Sequence, residues 1–172
     1  MSQMYKIGEK LLTLSDISKI LSEGIKIELS SKSEKKVKEC RKYLDEKIKN
    51  SEVPIYGVNT GFGSLCNHKI SDEDLEQLQR NLVLSHSCGT GDEVPQDIVK
   101  IMLLLKIQSL SYGHSAVQLQ TINRLIDMFN HNILPVVYQQ GSLGASGDLA
   151  PLAHMSLVLL GLGETYIPNK DG

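Results

Sequence analysis

The chain reads Gly141-Ser142-Leu143-Gly144-Ala145-Ser146-Gly147-Asp148-Leu149-Ala150-Pro151 immediately before its last apolar segment. Three glycines, one alanine and two serines fall within residues 141–147, so the backbone can fold back on itself with little steric hindrance. The amide nitrogen of Gly147 can then attack the carbonyl carbon of Ala145, and loss of water closes a ring. Loss of the Ser146 hydroxyl leaves an electron-poor alkene. We interpret this stretch as an electrophile that the chain makes for itself.

Other glycine-rich motifs do not match this stretch in register. A P-loop requires a lysine after its last glycine, and residues 141–147 contain none. The glycines at 141, 144 and 147 do not fit the dinucleotide-binding spacing, and Ser146 lacks the flanking pattern of a hydrolase nucleophile elbow. A purely structural glycine-rich turn before a helix remains the alternative from these residues alone.

Composition narrows the class of protein. The chain has 172 residues, of which 41% are hydrophobic and 22% charged, as expected for one globular domain with a sizeable core. The formal net charge of −2 favours neither nucleic acid nor an anionic membrane as a partner. Three cysteines without a CxxC pair indicate neither a zinc site nor a disulfide framework. The start of the chain lacks a secretory apolar region, and we expect a cytoplasmic protein.

Hydrophobic periodicity predicts a mainly α fold with a few short strands and two glycine-rich loops, at 56–64 and 141–147. The first helix is predicted to begin at Ser15-Asp16, and a capping box of Ser71 with Asp74 is predicted to open another. The remaining predicted helices cover 33–50, the region from Pro95 to Tyr112, 115–130 and a last segment capped by Asp148 and ending near Leu160; the predicted strands cover 25–29 and 165–167. Because the second of these strands lies so close to Gly172, we expect the chain to be a fragment.

Three motifs together resemble a known family. The first runs from Gly144 through the Ala-Ser-Gly triad to Leu149-Ala150-Pro151-Leu152-Ala153-His154, and is similar to the signature of the aromatic amino acid ammonia-lyases. Their prosthetic group is 4-methylidene-imidazol-5-one. The second is Tyr56-Gly57-Val58-Asn59-Thr60-Gly61-Phe62-Gly63, which resembles the inner loop of that family, and the third is Asn81-Leu82-Val83-Leu84-Ser85-His86-Ser87. The motifs follow the family's order and closely similar spacing, so the resemblance covers nearly the whole chain.

The resemblance implies catalytic roles for four residues. Ala145, Ser146 and Gly147 would supply the methylidene-imidazolone electrophile, with no metal required. Tyr56 would be the base that removes the β-proton of the substrate, a weakly acidic proton whose removal needs both an electron sink and a well-placed base. A tyrosine in a glycine-rich loop is able to close over a bound substrate.

Substrate binding is implied for three further residues. Asn59 and Gly63 resemble positions that line the pocket, although glycines in this loop equally suit a turn. His86 matches the position that contacts the ring of the substrate, where a histidine suits an imidazole or a phenol. Gly144 before the triad and Leu149-Ala150-Pro151-Leu152-Ala153-His154 after it make the motifs resemble the histidine-specific members most. They imply that L-histidine is converted to urocanate and ammonia, with a tyrosine ammonia-lyase or aminomutase as the alternative.

The other histidines suggest no metal site, since His68, His114 and His131 lack metal-ligand spacing. His154 lies in the last predicted helix, and we expect a hydrogen-bonded core histidine there rather than a catalyst.

The resemblance also sets expectations for the whole molecule. Family members share a helical, fumarase/aspartase-like fold, assemble as homotetramers and build each active site from three subunits. Residues 1–172 would be the N-terminal, prosthetic-group-bearing domain, truncated before the central helical bundle. We therefore expect this chain alone to be inactive, with the ring unformed. A helical interaction fragment without chemistry of its own is the alternative from another class.

Overall fold

A computed structural model of the chain describes residues 4–50, 53–61, 63, 66–71, 73–142 and 149–168. The described chain divides into two compact units. Unit 1 comprises Met1–Asp45, Pro95–Leu134 and Thr165–Gly172, and unit 2 comprises Glu46–Val94 and Pro135–Glu164.

Helices dominate both units, and the predicted mainly α fold with a few short strands is confirmed. The helices are α1 (Leu14–Ser22), α2 (Ser31–Asn50), α3 (Leu75–His86), α4 (Gln96–Ser111), α5 (Leu119–Asn130) and α6 (Leu149–Leu157), which a 3₁₀ turn at Val158–Leu160 follows. The strands are β1 (Tyr5–Ile7), β2 (Ile27–Leu29), β3 (Thr90–Glu93), β4 (Leu134–Pro135), β5 (Tyr138–Gln140) and β6 (Thr165–Tyr166). They form three two-stranded sheets, which pair β1 with β2, β3 with β5 and β4 with β6.

Unit 1 is built around the apolar faces of α4 and α5, which pack against each other, while β2 packs on α5. The parallel pair β1–β2 runs in register from Tyr5 opposite Ile27 to Ile7 opposite Leu29. The Asn130 side chain closes the open edge of β2: its Oδ1 accepts from the Ile27 amide and its Nδ2 donates to the Ile27 carbonyl, both at 2.8 Å. The fully buried side chains of this core include Ile7, Ile20, Ile27, Val37, Leu103, Leu104, Ile107 and Ile122.

The first helix begins earlier than predicted. Thr13, rather than Ser15, is the N-cap of α1: its hydroxyl accepts from the Asp16 amide, and the Asp16 carboxylate accepts from the Thr13 amide at 3.0 Å. The carboxylate also accepts a hydrogen bond from Lys10 at 2.9 Å. The bonds from Lys10 and Thr13 lower the pKa of Asp16 to about 2. The prediction missed this start because Thr13 and Ser15 are both acceptable capping residues. Thr13 is the cap in the structure because it alone has Asp16 three residues later, which completes a capping box.

Unit 2 holds the two glycine-rich loops predicted to carry chemistry. Helices α3 and α6 pack against each other, and α6 also contacts β5. Strand β3 pairs antiparallel with β5, with a register shift between Thr90 and Glu93. The prediction of a capping box at Ser71 is wrong in position: Ser71 and Asp74 do bond to each other, at 2.8 Å, but α3 begins only at Leu75. Asp148, the predicted cap of α6, lies outside the described residues.

Within the described chain, no helix combines the length and the apolar character that crossing a bilayer would demand.

Replacing Leu103 with alanine should strongly destabilise the fold, because this α4 side chain is fully buried. We expect the free energy of unfolding to fall by about 2–5 kcal/mol. The matched control is Leu105→Ala, two residues further along the same helix, where the side chain is 46% exposed. We expect the control to change stability by less than about 1 kcal/mol. Urea unfolding, monitored by circular dichroism, measures the free energy of unfolding of both variants. Equal losses of stability would contradict the burial of Leu103 in the core and the exposure of Leu105.

Candidate active site

Tyr56 lies in a tight turn at the start of the first glycine-rich loop. The amides of Val58 and Asn59 both donate to the Ile55 carbonyl, at 3.0 and 3.2 Å. The Ile55 amide donates in turn to Oδ1 of Asn59 at 2.7 Å. These three bonds close the turn on itself, and the Tyr56 side chain projects from it with 62% of its surface exposed. The backbone of this residue is therefore fixed while its ring remains accessible.

Behind the turn, the loop is buried. Asn59 and Thr60 are both fully buried, and Thr60 Oγ1 accepts from the Gly57 amide at 3.2 Å while donating to the Gly61 carbonyl at 3.0 Å. The Asn59 carbonyl accepts from the Ile70 amide at 2.9 Å. The Nδ2 atom of Asn59 has no hydrogen-bond partner in the described part of the chain. A buried amide donor without a partner is costly, so this atom suits a polar group that the described residues do not supply.

Gly63, the other pocket residue predicted from this loop, occupies a turn. Its φ of +58° is a left-handed conformation that favours glycine, and its carbonyl accepts from the Cys66 amide at 3.1 Å. A Cβ atom at this position would meet no atom of the described residues within 4 Å. The backbone conformation therefore explains the glycine.

Helix α3 contacts the loop that carries Tyr56 through the side chain of Gln79. The Gln79 side chain donates from Nε2 to the carbonyl of Val58 at 2.9 Å and lies 3.4 Å from that of Gly57. Two turns later the same helix ends at His86. The Nδ1 atom of His86 lies 2.7 Å from the Leu82 carbonyl, which can only accept, so Nδ1 carries the proton in this bond. In the neutral ring, Nε2 is consequently an acceptor.

A partly buried hydrogen bond links the segment after α3 to helix α6. The Gly89 amide donates to Nε2 of His154 at 2.9 Å. His154 is only 8% exposed, and its ring meets the Tyr138 ring edge to face at a centroid distance of 5.3 Å. Burial lowers the pKa of His154, which favours the neutral form that this bond requires. The expectation of a hydrogen-bonded core histidine is confirmed.

Two glycines allow this junction to close. A Cβ at Gly89 would lie 2.8 Å from Nε2 of His154, and one at Gly141 would lie 2.7 Å from the Cα of Gly89. Gly141 also has a φ of +142°, which disfavours other residues. The backbones therefore meet at a distance that only glycine permits, directly before the predicted electrophile.

The ends of the predicted electrophile segment are held together. The Ala150 amide, in the first turn of α6, donates to the Ser142 hydroxyl at 3.2 Å. Ala145, Ser146 and Gly147 lie between these residues, outside the described part of the chain. Their predicted ring formation stays a prediction, as do the roles of Tyr56, Asn59, Gly63 and His86. No cluster of three or more potential metal-ligating side chains occurs among the described residues.

Sequence reasoning missed Gln79 and the hydrogen bond between Gly89 and His154. No periodicity distinguishes Gln79 from Gln77 in the same helix, because both are exposed polar residues. Only the fold reveals that one of them reaches residues 57 and 58. For Gly89 the sequence does carry a signal, since glycines at 89 and 91 follow the helix and permit a close approach of the backbone.

Comparison with known proteins agrees with the motifs. The profile of the family described as aromatic amino acid lyase matches residues 12–171. A histidine ammonia-lyase from Streptococcus sanguinis is 44% identical over 170 residues, which make up 99% of this chain and 33% of that protein. The chain spans about a third of the length of the curated relatives it matches.

Solved structures show the same fold. A histidine ammonia-lyase from Trypanosoma cruzi superimposes with a TM-score of 0.83 at 30% identity, covering 96% of this chain and 32% of that one. A tyrosine aminomutase from Streptomyces globisporus matches with a TM-score of 0.83, also at 30% identity, over 95% of this chain and 30% of its own. The family's fold is therefore shared by enzymes with different aromatic substrates.

The buried state of His154 should be visible in its titration. We expect its pKa to lie below the ordinary value of 6.5, because burial disfavours the imidazolium and protonation of Nε2 would remove the acceptor for Gly89. The unfolded chain then binds a proton more readily, so stability should fall as the pH drops below about 6.5 and level off below the folded pKa. NMR titration of the His154 ring and urea unfolding at several pH values measure these effects.

The control is His154→Gln, which should lose this part of the pH dependence. A His154 ring that titrates at or above the ordinary value would contradict the assignment.

Proposed function

This chain belongs to the aromatic amino acid lyase family, and from that premise we propose that the whole protein eliminates ammonia from L-histidine to give urocanate. Residues 1–172 are its N-terminal part in this proposal, and the activity requires the remainder of the protein. The observation that carries the substrate assignment is the similarity to histidine ammonia-lyases, which reaches 44% identity over 170 residues with the Streptococcus sanguinis enzyme.

His86 suits a substrate ring that carries a hydrogen-bond donor. Because Nδ1 donates to the Leu82 carbonyl, Nε2 of the neutral ring offers a lone pair. The imidazole N–H of histidine is able to donate to such an acceptor, whereas the phenyl ring of phenylalanine carries no donor. The acceptor on His86 therefore disfavours phenylalanine as a substrate, but it does not distinguish histidine from tyrosine.

We assign the electrophile to Ala145, Ser146 and Gly147. The 4-methylidene-imidazol-5-one derived from such a triad supplies an electron-poor alkene that turns the substrate amine into a leaving group. Two features of the described residues fit its presence: the Ser142 hydroxyl and the Ala150 amide hold the segment's ends together, and Nδ2 of Asn59 is a buried donor without a described partner. We assign Asn59 to the pocket on that basis, and Gly63 to the turn that lines it.

Tyr56 is the base in this proposal. Its turn is closed by three hydrogen bonds, so the position of its backbone is defined, and its exposed side chain is able to reach a substrate. Removing the β-proton places negative charge beside the carbon that loses the amine, and Tyr56 keeps that proton while ammonia departs. A lyase and an aminomutase differ only in what happens to the released ammonia.

The proposal extends to the assembly and its surroundings. We assign the whole protein to a cytoplasmic homotetramer, as the family resemblance implies, without nucleic acid, membrane or metal ion as a partner. The chain spans about a third of its relatives' length, so the rest of the site would come from residues beyond it and from neighbouring subunits.

A tyrosine-specific enzyme is the second candidate. A tyrosine aminomutase shares this fold at a TM-score of 0.83, and a phenol O–H satisfies Nε2 of His86 as well as an imidazole N–H does. The choice therefore depends on assays with competing substrates.

The test uses the full-length protein with L-histidine, L-tyrosine and L-phenylalanine in parallel assays. We expect L-histidine to give urocanate, which is measured by its absorbance. L-tyrosine and L-phenylalanine should give little or no product. Ser146→Ala should abolish the activity, and Tyr56→Phe should lower kcat by about 10²–10⁴-fold because the base is lost. The matched controls Ser156→Ala and Tyr112→Phe remove the same hydroxyl groups elsewhere and should retain activity. Turnover of tyrosine without turnover of histidine would replace the first candidate with the second.

A further inference from the structure

We propose that Gln79 is a positioning residue, which fastens the Tyr56 turn to helix α3 so that the base meets the substrate in a fixed place. The inference rests on the proposed function, because it concerns how Tyr56 performs the role assigned to it there. Gln79 does not touch the substrate in this proposal, and it acts entirely through the loop.

The contact is direct and long-range in sequence. Nε2 of Gln79 donates to the Val58 carbonyl at 2.9 Å, with the Gly57 carbonyl at 3.4 Å. These are the two residues that follow Tyr56, and they are 21 and 22 positions away from Gln79 along the chain. Both acceptors are carbonyl oxygens, so the residue at 79 must be a donor. Glutamine provides one without bringing a charge.

The turn is held together by its own hydrogen bonds, so the bond from Gln79 fixes the position of the whole turn against α3. Three bonds within residues 55–59 close the turn independently of α3. Loss of the Gln79 contact would therefore leave the turn folded and still attached at its far end, through the Asn59 carbonyl and the Ile70 amide, while its hydrogen bonds to the helix at residues 57 and 58 are lost. Tyr56 would shift with the turn, and even a small displacement of a catalytic group lowers the rate of the chemical step.

Helix α3 also carries His86, the proposed partner of the substrate ring, so the Gln79 contact connects the tyrosine loop to the same helix. Residues 79 and 86 are seven positions apart, two helical turns, and so lie on the same face of α3. Leu82, whose carbonyl bonds to Nδ1 of His86, lies between them on that face. One helix surface thus fixes both the proposed base and the proposed partner of the substrate ring. Gln79 would set the distance between the two.

A matched pair of glutamines makes the test sharp. Gln77 and Gln79 are both exposed residues of α3, but Nε2 of Gln77 donates within the helix, to Oδ1 of Asn81 at 2.6 Å. Gln79→Ala and Gln79→Glu both remove the donor to the loop, and the second keeps the side-chain size. Gln77→Ala and Gln77→Glu make the same changes without touching the loop.

The full-length variants are compared in two measurements: steady-state kinetics with L-histidine, and hydrogen exchange of a peptide covering residues 53–61. We expect both Gln79 variants to lower kcat about 3- to 10-fold, the range expected for one lost hydrogen bond. KM should stay within about twofold, because the contact acts on proton removal rather than on binding. Exchange of the loop peptide should become faster in the same variants. Both Gln77 variants should match the wild type in both measurements.

Three results would overturn the inference: kcat values for the Gln79 variants equal to those of the Gln77 controls, unchanged exchange of the loop peptide, or a rise in KM at constant kcat. A wild-type protein that forms no urocanate would instead refute the proposed function, and it does so before any Gln79 variant is assayed. Because Gln79 is exposed and its bonds lie at the surface, we expect all four variants to fold. Their melting temperatures should lie close to that of the wild type.

Discussion

In unit 2, one partly buried hydrogen bond, from the Gly89 amide to Nε2 of His154, joins the segment that follows helix α3 to helix α6. The close approach of these segments requires glycines at 89 and 141, because a Cβ at Gly89 would lie 2.8 Å from Nε2 of His154 and one at Gly141 would lie 2.7 Å from the Cα of Gly89. Two parts of the proposed site adjoin this junction in the chain: His86 lies three residues before Gly89, and the predicted electrophile lies between Gly141 and the start of α6. The bond also requires a neutral imidazole, and burial supplies that state by lowering the pKa of His154. Packing and protonation thus support the same geometry.

A second set of contacts joins the tyrosine loop to this framework. The turn around Tyr56 closes through its own hydrogen bonds, including the one to Oδ1 of Asn59, and Gln79 then binds it to α3. The proposed base and the proposed partner of the substrate ring are consequently both connected to helix α3, although 30 residues separate Tyr56 from His86 in the sequence.

The sequence predicted most of the helices, while the roles it suggests for the residues of the candidate site stay predictions. Apolar stripes located α2, α4 and α5 because a helix that buries one face must repeat every three to four residues. Helix ends were less predictable, since Thr13 and Ser15 are both acceptable caps for α1 and the capping box of Thr13 with Asp16 decides between them. Strand β3 has the sequence Thr-Gly-Asp-Glu, which shows no strand pattern, and it forms because β5 pairs with it. The contact of Gln79 with the loop was invisible for the same reason: it depends on tertiary structure rather than on any local pattern.

The central chemical claim is that Ala145, Ser146 and Gly147 close into a dehydrated ring. The most direct test is the mass of the peptide spanning residues 141–151, isolated from the full-length enzyme. Cyclisation and loss of the serine hydroxyl each release one water, so the account predicts a mass two waters below that of the unmodified sequence. A peptide of full, unmodified mass from a preparation that still deaminates its amino acid would contradict the account.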